Sequence, residues 1–209
     1  MDEVFFCGVP VGCALAYGLV LDAKRHAREL KRDQQGWSEY AAQRGFRYAT
    51  RNQTLSMRVD HSVEAELDGV TLSCATGLGI LRMPTTSVIA RAAVPIEGRL
   101  YVSCDEALSQ AMDDTLARRV DVSDPDFDGR TFFVRATRPD IVPAVLVPPV
   151  RKVLMRMSET GRPSLNFRCE RDLVVVEWMG HDAVPELLDL GLRLVVAACT
   201  ARSSSGAYR

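Results

Sequence analysis

Histidine is scarce in this 209-residue chain, with only three copies, and the familiar catalytic signatures are missing. There is no Gly-x-x-x-x-Gly-Lys loop to cradle a phosphate, no Gly-x-Ser-x-Gly elbow to present a serine, and no His-Glu-x-x-His pair for zinc. The six cysteines, at 7, 13, 74, 104, 169 and 199, include no Cys-x-x-Cys pair and no close Cys/His spacing. Zinc modules need such pairs because two ligands from one turn fix half a tetrahedron. An excess of one charge is also lacking. Twenty-six basic residues face 27 acidic ones, for a net charge of -1, so nothing draws the whole chain to nucleic acid. The histidines have ordinary settings: His26 in a charged helix, His61 where two strands join, and His181 beside Asp182 as a cap at a helix start. Glu64 and Glu66 share one strand face, but their alternation with Val63, Ala65 and Leu67 describes a solvated side. No residue is therefore assigned a catalytic, cofactor-binding or metal-binding role.

What is present is an ordinary globular composition, 47% hydrophobic and 25% charged, long enough to bury a core without disulfides or a metal. The first twenty residues depart from it. Val4 to Leu21, "VFFCGVPVGCALAYGLVL", holds no charge over eighteen positions, a helical length of about 27 Å against a hydrocarbon core of about 30 Å. Met1, Asp2 and Glu3 do not make the basic start of a signal peptide. Lys24, Arg25, Arg28, Lys31 and Arg32 follow directly. The expectation is a transmembrane anchor over 1–21, single-pass in the inner (cytoplasmic) membrane, with the N-terminus outside and the rest in the cytoplasm. Membrane lipid is then a partner of the N-terminal helix, the basic cluster being a candidate for anionic head groups. Gly8 and Gly12 form a Gly-x-x-x-Gly pair through which a homo-oligomer could assemble, although Pro10 lies between them. In a reducing cytosol the four later cysteines should be buried thiols.

Residues 22–35 read as a charged helical stalk, interrupted by Gly36, with Gly45 as the C-terminal cap. Trp37, Tyr40 and Ala41 form an i, i+3, i+4 stripe, so a cytoplasmic domain is placed over 36–202. Within it, Leu55, Met57 and Val59 alternate, and Val63 to Leu67 and Val70 to Cys74 flank Asp68-Gly69, a strong hairpin signal. After a glycine-containing loop at 77–84, Thr86 to Val94 is expected to return through "PIEGR" into Leu100 to Cys104 as a second hairpin. Leu108, Met112 and Leu116 suggest a short helix, and Phe132 to Ala136 a strand. Asp140 to Met157 is a helical pair with Pro149 in the first turn of its second piece. A last hairpin turns at Arg171-Asp172, an amphipathic helix starts near Asp182, and 203–209 is a polar, mobile tail. Together these give an α+β fold, mainly antiparallel sheet, with a C-terminal helix-hairpin-helix.

"SDPDFDGR", Ser123 to Arg130, opens like a calcium loop, with aspartates at 124, 126 and 128 before Gly129. Counting from Asp124, the twelfth position, where such a loop needs a bidentate Glu, is Arg135. The stretch reads instead as an aspartate turn, with Asp126 and Asp128 accepting backbone N–H groups and Gly129 left-handed. From here to Met157 the chain resembles a family of uncharacterised bacterial membrane-anchored proteins, through Asp124, Phe127, Phe133, Asp140, Leu146 and Pro149. The resemblance extends to the anchor, the basic stalk and Trp37, Ala41 and Gly45; around 77–99 nothing aligns. It implies a domain of unknown function with no catalytic residues to transfer. The expected role is a membrane-tethered binding or assembly module with an unknown protein partner. A soluble small-ligand carrier with a buried N-terminal helix is the alternative, and an enzyme of unknown reaction the second.

Overall fold

A computed structural model describes residues 8–53, 58–78, 83–106, 109, 117–127, 132–161, 164–181 and 183–205. A single helix, α1 (Gly8–Arg44), leads into a nine-stranded sheet. The strands are β1 (Arg47–Gln53), β2 (Arg58–Leu67), β3 (Val70–Leu78), β4 (Pro84–Arg91), β5 (Arg99–Ser103), β6 (Arg118–Arg119), β7 (Phe133–Ala136), β8 (Asn166–Glu170) and β9 (Leu173–Met179). Two helices, α2 (Ile141–Val145) and α3 (Pro148–Glu159), precede β8, and α4 (Pro185–Ser205) follows β9. The sheet order is β1-β2-β3-β4-β9-β8-β5-β7-β6, antiparallel throughout. The architecture is α+β, with α3, the β8–β9 hairpin and α4 forming the C-terminal helix-hairpin-helix.

The helices cover one face of the sheet. Leu72, Cys74, Val88, Ala90, Val174, Val176 and Trp178 point into it and meet Leu187, Leu188, Leu194 and Val195 of α4. The opposite face is uncovered along β1 to β4, where Glu64, Glu66, Thr71 and Ser73 are exposed. Helix α4 lies directly on the sheet at Gly191. A Cβ there would stand 3.0 and 3.1 Å from ring carbons of Trp178 and 3.1 Å from Val88.

Turn chemistry sets two registers. Asp68 (φ 50°) and Gly69 (φ 75°) are both left-handed, the twist a two-residue hairpin needs. Arg171 (φ 51°) is left-handed at the β8–β9 turn. That turn is held from outside: Ala92 N donates to Asp172 O at 2.7 Å and Ile96 N to Arg171 O at 3.0 Å.

Those two bonds also explain the main correction to the expected topology. The "PIEGR" segment does not close a β4–β5 hairpin; it runs over the tip of β8–β9, which is inserted between β4 and β5. Val174, Val175 and Val176 are all buried, so this strand is apolar on both sides and belongs inside a sheet, not at its edge. Three smaller points differ. Helix α1 passes through Gly36 without interruption, that glycine lying 3.5 Å, measured from an added Cβ, from Ala183 Cβ. Helix α4 continues to Ser205, so the first part of the expected tail is helical. His61 lies inside β2 and not at a junction. Leu55, Met57, Leu108, Met112, Leu116, Asp128 and Gly129 fall outside the described residues, as do the side chains of Val4 to Leu21. Among the described residues no helix is long and apolar enough to cross a membrane.

Overpacking at Gly191 follows from these contacts. Gly191→Leu should lower unfolding free energy by about 1–3 kcal/mol, and Gly191→Ala by less, because the better helix former offsets part of the squeeze. Urea unfolding of the three proteins measures the difference.

Candidate functional site

A cluster of polar contacts lies where α1 meets the sheet. Trp37, Tyr40 and Ala41 are buried as a stripe. Phe46, just after the helix, packs edge-on to Tyr40 with centroids 6.2 Å apart. The Trp37 ring stacks on His61, centroids 5.8 Å apart at 14°, and Tyr48 stacks on His61 at 6.2 Å and 18°. Trp37 Nε1 donates to the carbonyl of His181 at 2.8 Å, and His181 Nε2 lies 3.2 Å from the Gly77 carbonyl. His61 Nδ1 and the Tyr48 hydroxyl are 2.9 Å apart, and the His61 amide donates to Thr76 Oγ1 at 2.8 Å. One turn further on, the Tyr40 hydroxyl donates to Asp189 Oδ1 at 2.9 Å, and Arg44 Nε donates to the same oxygen at 2.8 Å. The guanidinium carbon also sits 4.2 Å from the Tyr40 ring centre. Arg44 thus grips α4 through a two-toothed ion pair and an aromatic face, the geometry for which Arg is suited.

His61 is only 2% exposed. Burial first, then the nearby His181, lower its pKa from the ordinary 6.5, against a smaller opposing pull from Asp60. A neutral ring sealed between two aromatic rings has no approach for a substrate, so its role is to key the helix to the sheet. Burial, with the Asp189 hydrogen bond next, pushes the Tyr40 pKa up, so the phenol stays a donor. The thiols behave likewise. Cys74 is raised by burial, and Cys104 is raised by burial to about 11. Cys74, Cys169 and Cys199 are buried and Cys104 half-buried, all four unbridged.

Other candidate residues are dispersed. Glu64 pairs with Arg47 on the uncovered face, while Glu66 stands exposed two residues along. Among the described residues of the aspartate turn, Asp124 accepts the amide of Asp126 at 3.2 Å, and Asp121, just before it, accepts the amide of Ser123 at 2.7 Å. The other carboxylate oxygen of Asp124 faces Arg151 at 3.6 Å. Phe127 and Phe132 stack beneath at 4.5 Å, and Arg135 stands in β7, paired with Tyr101 of β5. Among the described residues no group of three or more His, Cys, Asp or Glu side chains is placed to hold a metal ion.

Sequence reasoning missed two adjoining grooves, of about 770 and 680 Å³, which share Asp68 and Thr200. The first lies at the β2–β3 turn and the ends of β3 and β4, edged by Glu64, Thr71, Ser73 and Arg91. The second is mostly apolar, walled by Leu67, Val147, Pro149, Val196 and Ala197, with Arg193 at its rim. Both need residues far apart in the chain, so no local pattern announces them.

No protein family and no curated protein matches the chain in sequence. Among solved structures, the crystal structure of the mycobacterial trehalose monomycolate transport factor A, TtfA, is similar at a TM-score of 0.55. The match covers 80% of this chain and 92% of that one, at 11% identity. A likeness at that identity concerns the fold.

The setting of His61 predicts a pH dependence. Its folded pKa lies below the unfolded one, so the stability it permits is complete above pH 6.5 and is lost as pH falls below it, when the unfolded chain alone takes up the proton. The melting temperature of the full chain should drop between pH 7 and 5, and His61→Gln should flatten that part of the profile.

Proposed function

We propose that this chain is a binding or assembly module without catalysis of its own, tethered at the cytoplasmic face of a membrane by its N-terminal apolar segment. The observation that carries the proposal is the continuity of α1, 37 residues in one helix from Gly8 to Arg44. At 1.5 Å per residue it runs about 55 Å and joins the uncharged stretch to the domain core with no flexible linker. A helix without a break has no turn by which its start could fold back onto the domain, which supports a tether over a carrier with a buried N-terminus. We also place the chain with the uncharacterised bacterial membrane-anchored proteins it resembles.

The partner site in this reading is the pair of grooves beside the β2–β3 turn. An apolar trough rimmed by Arg193 and Asp68 suits an amphipathic segment of another protein. The similar structure is that of a factor in trehalose monomycolate transport, and an accessory role in transport is the role we carry over from it.

The full chain should sediment with membranes, resist alkaline extraction, and expose residues after Asp22 to protease added on the cytoplasmic side. Recovery of the full chain as a monomer without detergent would overturn the proposal.

A further inference from the structure

The charged part of α1 is sorted around the helix. At about 100° per residue, Lys24, Arg25, Arg28, Lys31 and Arg32 fall within one arc of about 120°. All five are exposed. Trp37, Tyr40, Ala41 and Arg44, which dock the domain, fall on an arc centred roughly opposite. Glu29 and Asp33 lie outside the cationic arc, although Glu29 reaches its edge, 3.1 Å from Arg25; the exposed Glu39 falls within the arc, but about two turns beyond Arg32. Between Lys24 and Arg32 the helix therefore has a domain side and a cationic side.

From this sorting, and resting on the tethered reading, we propose that the cationic side of α1 is a binding surface for anionic lipid head groups. The helix leaves the bilayer tilted toward that side, so the domain rides on the side away from the lipid. An upright helix would not do this. Lys31 lies ten residues past Leu21, about 15 Å along the axis, beyond the roughly 8 Å over which surface charge is felt at physiological salt. Tilting toward the cationic arc brings Arg28, Lys31 and Arg32 into that range together, and like-signed residues on the opposite arc would gain nothing from it. The grooves benefit from the same geometry. Trp37 contacts His181, next to the Gly77 end of β3. The grooves lie at the other end of the sheet, beside Asp68 and Thr200. They therefore face away from the membrane and stay open to a partner.

The chain has three lysines, at 24, 31 and 152, which makes amine footprinting direct. Lys152 is exposed on α3 and serves as the internal reference. The full chain is reconstituted into vesicles of phosphatidylcholine alone, or with about 30% phosphatidylglycerol, and acetylated by an activated ester. Flotation confirms that the protein is in the vesicles. Lys31 should react at least about fivefold more slowly, relative to Lys152, in the anionic vesicles. The difference should vanish in 0.5 M salt, a concentration that screens surface charge, and in the Arg28→Gln, Arg32→Gln double variant. Equal Lys31 reactivity in both vesicles, with the protein still floating, overturns the lipid-binding surface and leaves the tether intact. Slowing that is the same in both vesicles, or indifferent to salt, also overturns it, because a protein contact would then cover the stripe. Failure to float with either vesicle removes the tethered reading and this inference with it.

Discussion

The structure depends on the docking of one helix end. Trp37 enters the gap between the sheet and the β9–α4 connection, stacks on His61, and bonds through its indole N–H to His181. One turn later Tyr40 and Arg44 both bond to Asp189 of α4. The two contacts divide the work. Burial of two large aromatic side chains supplies the free energy, since removing one buried Trp commonly costs about 3–5 kcal/mol. The Asp189 group supplies the angle, because a fork of guanidinium nitrogens on one carboxylate accepts few orientations. Without this clamp the charged part of α1 after Leu21 would have Leu30 as its chief apolar side chain before the stripe, and the domain would hang from it on a swivel.

A fixed angle is what turns a tether into an orientation. Because α1 is unbroken from Gly8 to Arg44, any tilt imposed where it leaves a bilayer is passed to the sheet. Gly36, at which a break was expected, is helical and lies against Ala183. Its small size allows close approach, where its lack of propensity suggested a break. The Asp68-Gly69 turn and the C-terminal half of α4 end up at the far end of the domain, where the two grooves lie.

What could be read from the sequence follows the range of the interactions. The Asp68-Gly69 and Arg171-Asp172 hairpins are local, and both formed where their turn residues stand. Trp37, Tyr40 and Ala41 repeat at helical spacing, so their burial was also visible. The position of β5 was not, since pairing with β7 and β8 depends on strands about 35 and about 65 residues later. The run Val174-Val175-Val176 carried a signal of a central strand, but the "PIEGR" turn residues between β4 and β5 suggested a simpler hairpin. His61 looked like a connector because polar residues surround it in sequence. Its burial comes from Trp37 and Tyr48, which approach from two other elements.

Amide hydrogen exchange on the full chain in detergent tests the clamp most directly. If the clamp holds, amides of residues 37–44 exchange as slowly as those of β3 and β4, by the same global opening, while amides of 24–33 exchange faster. Exchange of 37–44 at the rate of the stalk, with β3 and β4 still protected, would show that the helix undocks on its own and would contradict this account.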